Sequence, residues 1–122
     1  MLLDSNIITY SFQQQFRFLQ AFMTDHETSC SAISRVETLG YPHLSEDEKQ
    51  YLEKCFETIT VFPVSQAVID NAISLRQQRK MSLGDAIIAA TALEYRQTLI
   101  TRNVKDFEWV EGLKVVDPFN EL

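Results

Sequence analysis

The stretch Ser82-Leu83-Gly84-Asp85-Ala86-Ile87-Ile88-Ala89-Ala90-Thr91-Ala92 constrains the fold more than any other part of the chain. From Asp85 to Leu93, small or aliphatic residues stand on nearly every side, which fits a helix buried all round rather than a surface helix with one apolar stripe. Such a helix has to be wrapped by other elements. Asp85 lies at its start, beside the positive end of the macrodipole, where a carboxylate must reach a surface or cleft or meet a cation. Ser82 and Asp85 also have the spacing of a capping pair, so a purely structural role stands beside a functional one.

The remaining sequence supplies the wrapping. Met1-Leu2-Leu3 is a short apolar run that predicts a buried strand, followed by a turn at Asp4-Ser5-Asn6 and a helix from Ile7. Phe18, Leu19, Phe22 and Met23 have the spacing of a core-facing helix. A second strand is expected over residues 27–31, then a helix carrying Ile33, Val36 and Glu37 that closes at Gly40. Ser45-Glu46-Asp47-Glu48 places acids at the start of a helix with Tyr51, Leu52, Cys55 and Phe56, and these acids have a structural role there. The β-branched run Thr58 to Phe62 predicts a third strand that stops at Pro63. Ser65 then caps a helix whose inward face is Ala67, Val68, Asn71, Ala72 and Leu75. The Ser82 helix is expected to run to about Arg96, with a fourth strand at Leu99-Ile100-Thr101, a turn at Asp106-Phe107 and a fifth strand at residues 113–117 ended by Pro118. Strands alternating with helices predict an α/β domain on a parallel sheet, and 122 residues suffice for one domain with one core, spanning 1–122.

Composition narrows the function classes. No apolar run approaches the ~20 residues of a membrane span and no signal sequence is evident, so a cytoplasmic location is the expectation. Cys30 and Cys55 are isolated in apolar segments and are expected to be buried free thiols, while His26 and His43 lie in polar, turn-like surroundings and are given no role. A net charge of -6 argues against a nucleic-acid partner, but the distribution qualifies it. Arg76, Arg79, Lys80, Arg96, Arg102 and Lys105 hold six of the eleven basic residues within one stretch that contains only Asp85 and Glu94 as acids. That stretch is either a solvated, charge-mixed surface or a face for phosphate.

Ligands of open parallel sheets bind beyond the carboxyl ends of the strands, and Asp4 and Asn103, with Asp106 nearby, follow directly on two predicted strands. Singly, each acid has a bland reading: Asp4 an N-cap, Glu37 the partner of Ser34 in a capping box, Asp85 a cap, Asp106 a turn. Gathered at one edge, Asp4, Glu37, Asp85 and Asp106 would repel one another unless a cation neutralised them or some became protonated, and a hard divalent metal is the natural partner. An all-oxygen site suits Mg²⁺ or Mn²⁺, and the lack of suitably spaced His or Cys argues against zinc. A metal so held implies phosphodiester hydrolysis, by one ion or by two about 3.5–4 Å apart.

Four segments carry a resemblance that spans the chain: Leu2-Leu3-Asp4-Ser5-Asn6, Glu37 after the second strand, Leu83-Gly84-Asp85-Ala86-Ile87-Ile88-Ala89-Ala90, and Leu99-Ile100-Thr101-Arg102-Asn103-Val104-Lys105-Asp106-Phe107. In these the chain resembles PIN domains, and in size and detail the VapC-type ribonuclease toxins. The resemblance implies a three-layer α/β/α domain with a central, mostly parallel sheet, and a Mg²⁺-dependent endoribonuclease in which Mn²⁺ can substitute. It implies Asp4, Glu37 and Asp85 as metal-binding acids, Asp106 as a further acid, and Ser5, Asn6, Thr101, Arg102 and Asn103 as residues that shape the site or meet substrate. Asn103 is a departure, because many PIN domains carry an acid there. The resemblance further implies an RNA substrate, a homodimer and a small antitoxin partner. The competing expectations are a housekeeping RNA-processing nuclease and an inactive RNA- or protein-binding module on the same fold. A receiver domain would show adjacent acids near the first strand and a lysine after the last, and neither pattern is clear.

Overall fold

The computed structural model describes residues 1–121. Five strands form one sheet, β1 (Leu2–Leu3), β2 (Ser29–Ser31), β3 (Thr60–Phe62), β4 (Leu99–Ile100) and β5 (Val115–Val116), in the spatial order β3-β2-β1-β4-β5 with every pairing parallel. Helices α1 (Ser5–Phe12), α2 (Phe18–Asp25), α3 (Ile33–Leu39), α4 (Glu46–Thr58), α5 (Gln66–Gln78), α6 (Leu83–Glu94), α7 (Val104–Phe107) and α8 (Pro118–Glu121) connect and flank them.

Side chains alternate across a strand, and the sheet uses that alternation to make two cores. Leu2 and Leu99 face one way, onto Val68, Ala72 and Leu75 of α5 and Ala86, Ile88 and Ala89 of α6. Leu3, Cys30 and Ile100 face the other way, onto Ile7 and Ile8 of α1, Leu19 and Phe22 of α2 and Leu52 of α4. The result is the expected three-layer α/β/α arrangement. Among the described residues no helix is long and apolar enough to cross a membrane.

The helix that constrained the reading is buried all round through its middle, since the five consecutive residues Ile88 to Ala92 are at most 1% exposed. Its ends differ from expectation. It stops at Glu94, two residues early, because Arg96 takes a left-handed φ of 54° and the amides of Arg96 and Gln97 turn back to the carbonyls of Leu93 and Ala92. That is the Schellman closure, with arginine in the position glycine usually fills. Leu83, at the other end, is exposed.

Smaller departures have equally local causes. Ala67 faces solvent, because the buried face of α5 is set by Val68, Ala72 and Leu75 and Ala67 lies one residue, about 100° of helix, off that line. The turn expected at Asp106-Phe107 is the single-turn helix α7, and Cys55 is partly buried where Cys30 is fully so. Burial pushes the Cys30 thiol up to about 12, so it is inert as a nucleophile at neutral pH. Ser45 and Ser65 cap α4 and α5 as expected, accepting hydrogen bonds from the Glu48 and Val68 amides at 3.1 and 3.2 Å.

Strand order reverses at β1, which continues to β2 on one side and has β4 on the other. A crevice therefore opens where the carboxyl ends of β1 and β4 diverge toward their own helices, the place where open α/β sheets bind ligands. Asp4 follows β1 and Thr101 follows β4.

Candidate active site

Register brings the first pair together. Leu3 lies opposite Ile100, so the next residues, Asp4 and Thr101, emerge side by side, and the Thr101 hydroxyl donates to Asp4 Oδ2 at 2.7 Å. The Thr101 oxygen in turn accepts from the Asn103 amide at 3.0 Å. Asn103 thus acts on the site through its backbone, while its side chain is exposed and makes no capping bond to α7. Asp4 occupies the N-cap position of α1 by its backbone, yet its carboxylate makes no capping hydrogen bond. The capping account of Asp4 fails for this reason.

Glu37 has a similar history. Ala32, not Ser34, is the N-cap of α3, so the capping box has no cap. Ser34 is fully buried inside the helix with its oxygen 2.8 Å from Ser5 Oγ, and Ser5 Oγ is also 2.8 Å from Glu37 Oε1. Ser5 has one proton, and the carboxylate is the stronger acceptor, so Ser5 donates to Glu37 and Ser34 donates to Ser5. The Glu37 carboxylate lies against Gly84, where a Cβ would collide with Oε2. Gly84 is the residue that lets Glu37 approach the start of α6, beside Asp85.

Asp85 presents its amide to Ser82 Oγ at 3.1 Å, so the Ser82 cap exists, and it is the backbone that uses it. The Asp85 side chain is partly exposed in a cleft of about 580 Å³. Arg76, Arg79, Lys80, Met81, Ser82, Lys105, Asp106 and Trp109 complete that cleft. Most of the basic stretch therefore borders the carboxylates. Arg102 does not: its guanidinium lies 4.1 Å from the ring centre of Phe119, with Tyr10 and Phe16 at 5.3 and 5.5 Å, on the α1 side of the crevice. Asn6 is exposed on the first turn of α1, outside this hydrogen-bond network among the described residues.

Electrostatics ties the acids into one chain. Burial pushes the Asp4 carboxyl up to about 6, the Thr101 and Ser5 donors pull it back, and Asp85 and Glu37 add to the rise. Burial likewise raises Asp85, with Asp106 and Glu37 adding to it against the Ser82 hydrogen bond. No cation figures among the groups that shift either carboxyl. Among the described residues no three His, Cys, Asp or Glu side chains close into a ready-made cage. The donor set nevertheless fits a hard divalent ion: all oxygen, mutually repelling, and with Asp4 and Asp85 raised first by burial and further by neighbouring carboxylates.

Sequence spacing left three participants unseen. Ser34 looked like a cap; Gly84 and Trp109 carry no signal of their own, although glycine next to a candidate acid is a cue for close approach.

The PIN domain family matches residues 1–113 of the chain. Among solved structures, a toxin-antitoxin complex from Klebsiella pneumoniae is 32% identical, with 96% of each chain covered and a TM-score of 0.78. FitAcB from Neisseria gonorrhoeae is 23% identical over 98% of each chain, with a TM-score of 0.77, and VapBC-1 from nontypeable Haemophilus influenzae is 23% identical over 95% of this chain and 96% of that one, with a TM-score of 0.75. No curated protein matches. The chain belongs to the PIN domain family, whose members are typically nucleases and generally use divalent metal ions.

Proposed function

We propose that residues 1–122 form a Mg²⁺-dependent endoribonuclease, the toxin of a toxin-antitoxin pair. The observation that carries this reading is the linked set Asp4, Glu37, Asp85 and Asp106, whose mutual repulsion adds to the rise that burial imposes on Asp4 and Asp85. Similarity to the toxin-antitoxin complex from Klebsiella pneumoniae supports the toxin assignment and an antitoxin partner.

Asp4 and Asp85 would hold the ion, with Glu37 completing its ligands or orienting water and Asp106 contributing from the open side. Magnesium, or manganese in its place, supplies Lewis-acid stabilisation of the phosphate and lowers the pKa of water. The protein's own part is positional. Thr101 and Ser5 fix the carboxylates of Asp4 and Glu37, and the buried body of α6 holds Asp85 on a rigid support. Cations around the cleft offset the repulsion between an acidic centre and a polyanionic strand.

The test is RNA cleavage by wild type and by Asp85→Asn, with folding checked by circular dichroism. Wild type should cut RNA with Mg²⁺ and stop with EDTA, and the variant should lose at least about 10³-fold. Undiminished Mg²⁺-dependent cleavage by a folded Asp85→Asn protein would overturn the assignment. Absence of Mg²⁺ and Mn²⁺ binding by calorimetry would favour a non-catalytic RNA- or protein-binding module.

A further inference from the structure

The basic residues divide into two kinds of setting. Arg102 is exposed but leans on three aromatic rings, whereas Arg76, Arg79, Lys80 and Lys105 surround the cleft that holds Asp85. In a chain of net charge -6, this cleft sets four cations against two carboxylates. Its volume of about 580 Å³ is that of a ligand site, room for about one or two nucleotides of a single strand and far too little for a duplex.

The cations are not equivalent. Arg76 Nε donates to the Met81 carbonyl at 3.3 Å, which ties this side chain to the link between α5 and α6 and leaves its terminal N–H groups to the cleft. Arg79 lies with its guanidinium 5.4 Å from the Trp109 ring centre. Trp109 is itself held, its Nε1 donating to the Asp106 carbonyl at 2.9 Å and its half-buried ring packed against the core. A guanidinium within cation–π reach of an indole keeps N–H groups free for bonding to a phosphate. Lys80 and Lys105 offer only mobile point charges.

We propose that this cleft binds an unpaired RNA strand, with Arg79, positioned by Trp109, gripping the phosphate next to the one held at Asp85. This rests on the nuclease reading and adds to it the residue that seats the strand. An acidic peptide would satisfy the lysines, but a planar, aromatic-backed arginine beside an acidic hydrolytic centre matches a strand whose phosphates repeat and whose bases stack.

Trp109 is the only tryptophan in the chain, so its fluorescence reports directly on the cleft. Asp85→Asn protein, titrated with an unstructured oligoribonucleotide, should show a saturable change in emission that a duplex of equal length does not produce. Arg79→Ala should raise the KM of the otherwise wild-type enzyme about tenfold with kcat little changed, and Arg79→Lys should not restore it. The slope of log affinity against log salt should fall by about 0.7 for the lost phosphate contact. Trp109→Leu should reproduce part of the KM effect; if it fails to fold, exposed Arg79 still decides the matter. Cleavage by wild type with KM and salt slope unaltered in Arg79→Ala would overturn the cleft assignment and leave the nuclease reading standing. Saturable RNA binding without cleavage would do the reverse. An emission change with a polyglutamate peptide but none with RNA would also overturn it.

Discussion

The four acids fall into two halves that the fold treats differently. Asp4 is 4% exposed and receives the Thr101 hydroxyl, and Glu37 receives that of Ser5, so this half is held in place by partners from other elements. Asp85 and Asp106 look into the charged cleft, with Asp106 fully on the surface. The position of Asp4 is set by sheet register and costs stability to maintain, whereas Glu37 is held from α3 by Ser5. The open half is free to respond to what enters the cleft. A change in the first should therefore show in both folding and activity, and a change in the second in activity alone.

The largest expected effect tests that contrast directly. Asp4→Asn and Asp85→Asn should each lose at least about 10³-fold in RNA cleavage, since each removes a charge the reaction needs. Their stabilities should differ. With the Asp4 carboxyl pushed from 3.8 to about 6, keeping it ionised at pH 7 costs the fold about 3 kcal/mol, and the neutral amide relieves that while its oxygen still accepts from Thr101. Urea denaturation in EDTA at pH 7 should show Asp4→Asn clearly more stable than wild type and Asp85→Asn much less changed. Equal stabilisation of both would erase the distinction between the halves.

Acidity gives the next effect. Between about pH 4 and 6 the folded protein keeps a proton on Asp4 that the unfolded chain has released. Stability from this group is complete below about 4 and is lost as pH rises through about 6, a decline of about 3 kcal/mol across the window. Asp85, raised by burial and by Asp106, contributes with the same sign. In EDTA the wild type should therefore become less stable on going from pH 4.5 to 7, and Asp4→Asn should lose most of that slope. Mn²⁺ should recover stability at pH 7 far more than at pH 4.5, read as a shift in Tm. A wild-type profile that rises over this range in EDTA would remove the buried charge from the account.

Much of this contrast was legible in the chain, and the illegible part has one cause. Asp4 and Asp85 singly read as caps, and it was their company at one sheet edge, with the motifs around them, that set them apart. Alternating strands and helices gave the sheet, and with it the edge at which the acids meet. What periodicity does not carry is the pairing of hydroxyls across distance. Ser5 and Ser34 are 29 residues apart, and Thr101 reaches Asp4 over 97. Ser34 even has a plausible local partner in Glu37, which tertiary packing overrides by burying Ser34 inside α3. Arg79 and Arg102 look alike in sequence, and only the packing of Trp109 and Phe119 assigns one to the cleft and the other to an aromatic box.

Thr101→Val tests the held half by its support and not by its charge. Valine fills the volume but leaves Asp4 without a hydroxyl donor and the Asn103 amide without an acceptor. Losing a hydrogen bond to a charged group costs about 1.5–3 kcal/mol, so the variant should unfold at lower urea at pH 7. The Thr101 bond also opposes the rise of the Asp4 carboxyl, so its loss should carry that group's titration further up and move the acid limb of the pH–rate profile with it. Rescue by Thr101→Ser, which keeps the donor, would tie both effects to the hydroxyl. The same loss in Thr101→Ser would assign them to packing.

Asp106→Asn should be the mildest change, and it sets the boundary of the open half. Asp106 is exposed on α7 and reaches Asp85 by charge alone, while its backbone carbonyl, which the substitution leaves intact, holds the Trp109 indole. Stability should move by less than about 0.5 kcal/mol, as for surface substitutions away from special features. Removing a negative charge from the cleft should strengthen the attraction of RNA and at the same time ease ionisation of Asp85, so KM should fall a few-fold. If kcat falls no more than a few-fold, Asp106 tunes the field and Asp4, Glu37 and Asp85 hold the ion by themselves. A loss of kcat as deep as that of Asp85→Asn would instead make Asp106 a working member of the site. The exposed carboxylate would then take the role that Asn103, with its backbone turned to Thr101, has left open.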